Sequence, residues 1–275
     1  MLAHQQSAWQ DFSVLMRIDT SITMVLHDSF HRLAPSFLER EVRAIGWLRV
    51  LSTLEQEHAL RNLRIFEVPS GNSFFCIGQP ATHWCGVMDG LLKMSADNAD
   101  GQAMTFVGVP PGGWFGEGTV IKREAYRYNI QALRKSRIAG LPVETFHWLL
   151  EHSIGFNRFV LTQLNERLGQ FIGGREIERI SNADIRVARS LAALLNPVLY
   201  PGFSTVLNIT QQELAYLVGL SRQRVNEALT VLAAYGAIAV EYGGLRVLDL
   251  DALRTQTNYR QHCPLGTRRL LSCKC

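Results

Sequence analysis

The stretch ITQQELAYLVGLSRQRVNEAL, residues 209–229, constrains the fold more tightly than any other part of the chain. Thr210 is a good helix N-cap, and Glu213 three residues on completes a capping box. Leu214, Leu217 and Val218 form one face of a short helix. Gly219 then supplies a residue able to adopt the left-handed conformation of a tight turn. Ser221 caps a second helix, whose apolar face is Val225, Ala228 and Leu229. Small Ala215 lets the two helices approach, and Val225 fills the space between them. Two short helices joined by a glycine turn predict a helix-turn-helix.

The sequence that follows, AAYGAIAVEYGGLRVLD, reads as a helix end at Gly236, a strand, a Gly-Gly turn and a second strand. That hairpin is the wing of a winged helix. In such a module the N-terminal end of the second helix enters the major groove. The candidate DNA-binding residues are Thr210, Gln211, Gln212, Ser221, Arg222, Gln223, Arg224 and Asn226. Arginine can contact guanine with paired donors, and glutamine and asparagine can do the same with adenine. Hydroxyls and the amides at helix starts suit phosphates. A merely solvated polar helix face is the plainer alternative, and the wing weighs against it. Charge adds no support: residues 208–255 hold four arginines against five acids, so the module has no general basic footprint. Arg260, Arg268, Arg269 and Lys274 beyond it are further candidates for phosphate contacts. The net charge of +4 permits nucleic acid without arguing for it.

Upstream the pattern is β-rich. From Leu63, short runs (LRIFEV, SFFCIG, HWCGVMDGLLKMS, QAMTFVGV, NIQAL, RIAGL) alternate with turn signals at roughly ten-residue spacing. Gly71, Gly78, Gly90, Gly101 and Gly113 punctuate them as turns needing positive φ would. These features predict a β-sandwich or barrel. Helices flank it: residues 39–60 before, and after it a helix opening at Pro142-Val143-Glu144. A long helix is expected from about Ile154 to Arg179. Ile154, Leu161 and Leu168 recur on one line and Leu164 and Phe171 on another. That is a seam able to pair with a second helix, or the inner face of one packed on its own domain. Gly173-Gly174 is expected to bend the helix or weaken the seam, and Asp184–Leu195 predicts another amphipathic helix.

No apolar run approaches the roughly 18–20 residues that span a membrane. The N-terminus lacks the basic start and apolar stretch of a signal peptide. The five cysteines form no CxxC pair. A cytoplasmic protein without a membrane partner is the expectation. Cys263, Cys273 and Cys275 near His262 are read as incidental to a polar tail, and no metal site is assigned.

A β-rich domain, a long pairing helix and a winged helix in that order resemble the Crp/Fnr family of bacterial transcription regulators, over about residues 45–250. The glycine framework Gly78-Gln79-Pro80-Ala81, Gly90, Gly101 and Gly112-Gly113-Trp114-Phe115-Gly116-Glu117 carries the resemblance in the β domain. The resemblance implies an α+β fold with five parts. Residues 1–44 would be an N-terminal helical extension and 45–150 a cyclic-nucleotide-binding-like β-roll, or jelly roll. Residues 151–182 would be the long dimerisation helix and hinge, 183–255 the winged helix-turn-helix and 256–275 a C-terminal tail. It also implies a homodimer, paired through Leu161, Leu164, Leu168 and Phe171, acting on double-stranded promoter DNA and RNA polymerase.

In ligand-binding members a Gly-Glu pair accepts a ribose hydroxyl and an arginine ten residues later pairs with the cyclic phosphate. Glu117 and Arg127 match both places, so the implied effector site is Gly116, Glu117, Gly118, Arg127, Tyr128, Phe171 and Ile172. A carboxylate accepts from a hydroxyl, and a guanidinium binds phosphate with paired donors. The alternative is an internal Glu117–Arg127 salt bridge closing a pocket that is empty or differently occupied. Two departures argue against cAMP. Tyr128 replaces a small hydroxyl-bearing residue, and Phe171 and Ile172 stand where hydroxyls read the adenine, although Phe171 could stack on a base. An iron–sulfur sensor would need cysteines before Cys76, and a haem sensor would draw its axial ligand from Cys76, His83 or Cys85.

In the reader, Arg222 keeps a guanine-reading place, while Gln223 and Glu227 replace an acid and a later arginine, which implies a different half-site. A nucleotide-using enzyme is the rival of another class. The Gly112–Gly118 loop lacks the Gly-Lys-Ser/Thr ending of a P-loop, so no enzymatic activity is expected. A ligand-independent regulator of the same fold is the alternative within the family.

Overall fold

In the computed structural model the described residues are 45–97, 103–201 and 205–255. The N-terminal extension assigned to 1–44, the tail at 256–275 with three of the cysteines, and Gly101 lie outside them. A 3-10 turn at Gly46–Val50 leads into α1, Thr53–Asn62, whose N-cap Ser52 and Glu55 form a reciprocal capping box. Eight strands follow: β1 (Arg64–Val68), β2 (Ser73–Phe75), β3 (His83–Asp89), β4 (Leu92–Asp97), β5 (Ala103–Val109), β6 (Trp114–Phe115), β7 (Asn129–Ala132) and β8 (Ser136–Pro142). A short α2, Glu117–Lys122, lies between β6 and β7.

The strands form two four-stranded antiparallel sheets, ordered β1-β8-β3-β6 and β2-β7-β4-β5. Alternating apolar side chains drive the two faces together, and Phe74, Val87, Leu92, Val109, Phe115 and Ile130 meet between them. The run HWCGVMDGLLKMS is two strands, because Gly90 takes φ 105° and reverses the chain. Of the other turn glycines, Gly71 and Gly78 have positive φ, and the PPGG turn uses Gly112 rather than Gly113.

Helix α3, Val143–His152, follows β8 directly, with Pro142 as its N-cap rather than within its first turn. Helix α4, Ile154–Glu178, runs for 25 residues, and Gly173 and Gly174 are accommodated inside it without ending it. The inner face of α4, with Phe156 and Val160, packs with Trp47, Trp84, Trp114 and Phe146 on the outside of the first sheet. Trp84 and Trp114 lie 4.4 Å apart by ring centroids and Trp47 is 5.3 Å from Trp114. This aromatic layer fixes α4 against the β-roll.

The remaining elements are α5 (Ala183–Ala193), β9 (Val206–Leu207), α6 (Gln211–Val218), α7 (Arg222–Ala234), β10 (Ile238–Glu241), β11 (Gly244–Val247) and α8 (Leu250–Thr255). Strands β10, β11 and β9 form a small antiparallel sheet. Ala215, Val225, Ala228 and Leu229 are buried where α6 crosses α7, as their pattern predicted. Gly219 takes φ 67°, ψ 41° between the helices. None of the described helices is long and apolar enough to cross a membrane.

Candidate functional site

Two places gather the polar side chains singled out by sequence. The first is a cavity of about 370 Å³ between α2 and α4. Gly116, Glu117, Gly118, Arg127, Tyr128 and Phe171 line it, joined by Thr119, Leu164 and Arg167. Gly116 reaches φ 87° and turns the chain so that Glu117 points inward from the first turn of α2.

Glu117 and Arg127 do not pair. The carboxylate of Glu117 meets Arg167 of α4, Nε to Oε1 at 3.3 Å, and the two side chains are only 5% and 8% exposed. Arg167 also donates to the Trp114 carbonyl and, from Nη1, to Gln170 Oε1 at 3.3 Å. Burial opposes the charge on Arg167, but Glu117 beside it, together with Tyr200 and Tyr128, offsets this and holds the guanidinium above its usual range. Arg127 is 78% exposed and pairs with Glu124 at 3.1 Å, which also takes Lys122 at 2.8 Å. The expected internal bridge thus exists with a different arginine. A ten-residue spacing carries Arg127 to the rim of the cavity, whereas α4 brings Arg167 to its floor.

Tyr128 fills space beside Gly116, and burial pushes its phenol up to about 12. Phe171 faces the cavity, but Ile172 does not line it. One residue along an α-helix is a rotation of about 100°, which carries Ile172 to the outer side of α4, where it is 57% exposed. From the cavity floor a chain of bonds continues: Gln170 Nε2 donates to Tyr200 at 3.0 Å, and Tyr200 donates to the Gly108 carbonyl of β5 at 3.2 Å.

The outer side of α4 is apolar. Ile154, Leu161 and Leu168 are 73%, 64% and 59% exposed, and Ile172 continues their stripe. Leu164, expected in the same seam, instead turns inward, half-buried against the aromatic layer, and Phe171 shares that inner line. The helix therefore has two apolar faces, one covered and one bare.

The second place is the end of α7. Thr210 Oγ1 accepts from Glu213 N at 3.2 Å, and Glu213 Oε2 accepts from Thr210 N at 2.7 Å, completing the box expected there. Ser221 Oγ accepts from Arg224 N at 3.2 Å. Arg222, Gln223 and Asn226 are exposed on one end of α7, as is Gln212 on α6. Gln211 Nε2 donates to Asn226 Oδ1 at 2.7 Å, setting those two amides side by side. Arg224 is engaged twice, with Asp184 at 2.9 Å and Glu227 at 3.0 Å. Glu227 also accepts from Gln223 at 3.2 Å, so its charge is shared within the helix rather than presented bare to a phosphate. Arg222 forms no ion pair among the described residues. It borders a cleft of about 470 Å³ with Thr210, Gln211, Gln212 and the wing residues Glu241 and Gly243.

The order of parts agrees with known proteins. Residues 65–153 match the cyclic nucleotide-binding domain family and 185–256 the Crp-like helix-turn-helix domain family. The chain is 31% identical over 173 residues to the transcriptional regulator SdrP of Thermus thermophilus, covering 61% of this chain and 80% of that protein. The chain belongs to the Crp/Fnr family of transcription regulators. This regulator is also 25% identical over 199 residues to the cAMP-activated global transcriptional regulator CRP of Pasteurella multocida, 68% of this chain and 94% of that one. The structure of FixK2 from Bradyrhizobium japonicum superposes with a TM-score of 0.56 at 14% identity, covering 70% of the regulator and 96% of FixK2, a likeness of fold. The regulator thus combines a cyclic-nucleotide-binding domain with a DNA-binding helix-turn-helix.

Two arginines of this arrangement were not singled out by sequence. Arg167 lies mid-helix, fifty residues from the glutamate it meets, one turn from Leu164 and Phe171 on the inner side of α4. Arg134, in the β7–β8 turn, reaches Glu213 of the reader at 2.8 Å. Neither contact has a local sequence signal. Among the described residues no group of His, Cys, Asp or Glu is arranged to hold a metal.

Proposed function

We propose that this regulator works as a homodimer on near-palindromic promoter DNA, without turning over a substrate, in the cytoplasm where that DNA and RNA polymerase are found. The observation that carries the proposal is the bare stripe Ile154, Leu161, Leu168 and Ile172 on α4, opposite a face already packed. Contiguous exposed apolar surface marks an interaction site, and seven-residue spacing suits a second copy of the same helix. Pairing two copies presents two α7 helices, and paired recognition helices want half-sites one helical turn apart, ~10 bp. Residues 45–150 serve as the sensor, 151–182 as the dimer helix and hinge, and 183–255 as the reader. Thr210, Gln211, Gln212 and Ser221 meet the backbone, while Arg222, Gln223 and Asn226 face bases, and Arg224 joins them on exchanging its bonds to Asp184 and Glu227 for DNA.

The cavity beneath α4 takes a small anionic effector such as a cyclic nucleotide, with Arg127 at its rim as the phosphate partner. Binding there shifts α4 and with it the spacing of the readers. A specific observation favours a second reading, a ligand-independent regulator. Glu117 is already held by Arg167, and Arg127 by Glu124, so both charges that a cyclic nucleotide would use are engaged. Tyr128 and Phe171 weigh against cAMP within either reading.

Titration calorimetry with cAMP, cGMP and cyclic dinucleotides separates the two. Heat that disappears in Arg127→Ala supports the effector site. Silence with every ligand, together with undiminished DNA binding, supports the ligand-independent regulator.

A further inference from the structure

The turn between β7 and β8 joins the β-roll to the reader. Arg134 donates from Nε to Glu213 Oε1 at 2.8 Å and from Nη2 to Glu213 Oε2 at 2.9 Å, and Nη2 also donates to the Asn208 carbonyl at 2.5 Å. A forked guanidinium–carboxylate pair fixes orientation as well as distance. Glu213 is buried, and its Oε2 also accepts from Thr210 N at 2.7 Å and Thr210 Oγ1 at 2.9 Å. One carboxylate therefore closes the start of α6 and ties that helix to the β-roll.

The backbone that presents the arginine is held as well. Fully buried Ser136 donates from Oγ to the Arg134 carbonyl at 2.8 Å and accepts from Leu91 N at 3.2 Å. Leu133 N donates to the Leu91 carbonyl at 2.8 Å, and Ser70 Oγ donates to the Leu133 carbonyl at 3.0 Å. A side chain presented from a pinned turn has only its own rotamers left to order when it makes its bonds. Apolar packing continues the contact. Leu91 belongs to the core of the winged helix, and Gly108 of β5 lies so close under Leu217 of α6 that a Cβ there would fall 2.7 Å from Leu217 Cδ1. Arg222, Gln223 and Asn226 stay exposed, so the contact leaves the reading end of α7 uncovered.

We infer that Arg134 is a positioning residue for DNA recognition. By gripping Glu213 it sets the angle of α6, and through α6 that of α7, relative to the β-roll. In a dimer this fixes the spacing of the two readers, a consequence that rests on the dimer reading above.

The test uses full-length protein with R134Q, R134K, E213Q and the R134Q/E213Q pair. Glutamine at 213 keeps an acceptor for the capping box. Fluorescence anisotropy measures affinity for a duplex that the wild-type protein enriches from a randomised pool, and for one half of that duplex. Sedimentation run alongside fixes the dimer fraction. R134Q is expected to weaken binding to the full duplex about tenfold and to the half duplex by less than about twofold. R134K recovers part of the loss, and E213Q adds little to R134Q because both remove one interaction. Unchanged full-duplex affinity in R134Q, or equal losses on full and half duplex, would overturn the inference. Failure of the dimer reading shows separately, as wild-type protein that sediments as a monomer.

Discussion

Replacing Leu161 by alanine isolates what the bare stripe of α4 contributes. In the single chain this side chain is 64% exposed, so roughly two thirds of its surface remains to be covered. Full burial of a leucine stabilises by about 1.5–3 kcal/mol, so each protomer stands to gain ~1–2 kcal/mol at this position. A twofold interface counts the residue twice, giving ~2–4 kcal/mol per dimer. That corresponds to about a 30- to 700-fold rise in the dimer dissociation constant. Stability of the separate protomer should move by less than about 0.5 kcal/mol, as for other surface changes. Sedimentation equilibrium across a dilution series reads the first quantity, and urea unfolding at concentrations below dimer formation reads the second. A Leu161→Ala protein that dimerises as tightly as wild type would refute the reasoning. So would a loss that appears in the unfolding of the monomer instead.

Three further outcomes follow from the described geometry. Glu117→Gln strands a buried guanidinium and should cost about 3 kcal/mol of stability in urea titrations, with much of it recovered by adding Arg167→Met; a loss below about 1 kcal/mol would contradict the pair's importance. Gly219→Ala forces a Cβ into φ 67° and should destabilise by about 1–2 kcal/mol, most of it strain, because the nearest atom, Arg186 Nη2, stands 3.4 Å away, at ordinary contact distance. His83 is held below its ordinary value by burial and then by the charge of Arg64, so the unfolded chain binds that proton more readily. Its contribution to stability is full above about pH 6.5 and falls as pH drops through that value toward the folded pKa; His83→Gln should flatten the urea midpoint's dependence on pH over this range, and an unchanged slope would reject the assignment.

The features that sequence revealed are those written locally. The capping box at Thr210 and Glu213, the turn at Gly219 and the Gly-Gly wing each need particular residues within a few positions, so the reader was legible almost whole. The sensor was legible as a framework of turns and short strands. Its charge pairing was not, because partners chosen by tertiary packing leave no spacing to read. Glu117 was matched to Arg127 by spacing alone, whereas the packing of the long helix α4 supplies Arg167 instead. The seam of α4 shows the same limit at finer scale. Seven-residue periodicity identified an apolar line, but only the aromatic layer determines that Leu164 turns inward while Leu161 and Leu168 stay bare. Arg134 was invisible for a further reason: its importance comes from the placement of the winged helix against the β-roll.

The most direct test of the account is the DNA that the full-length protein selects from a randomised duplex pool, followed by footprinting on the enriched sequence. Two inverted half-sites ~10 bp apart are expected, each with a guanine whose replacement is tolerated only in Arg222→Ala protein. A single asymmetric half-site, or no enrichment over the starting pool, would contradict it.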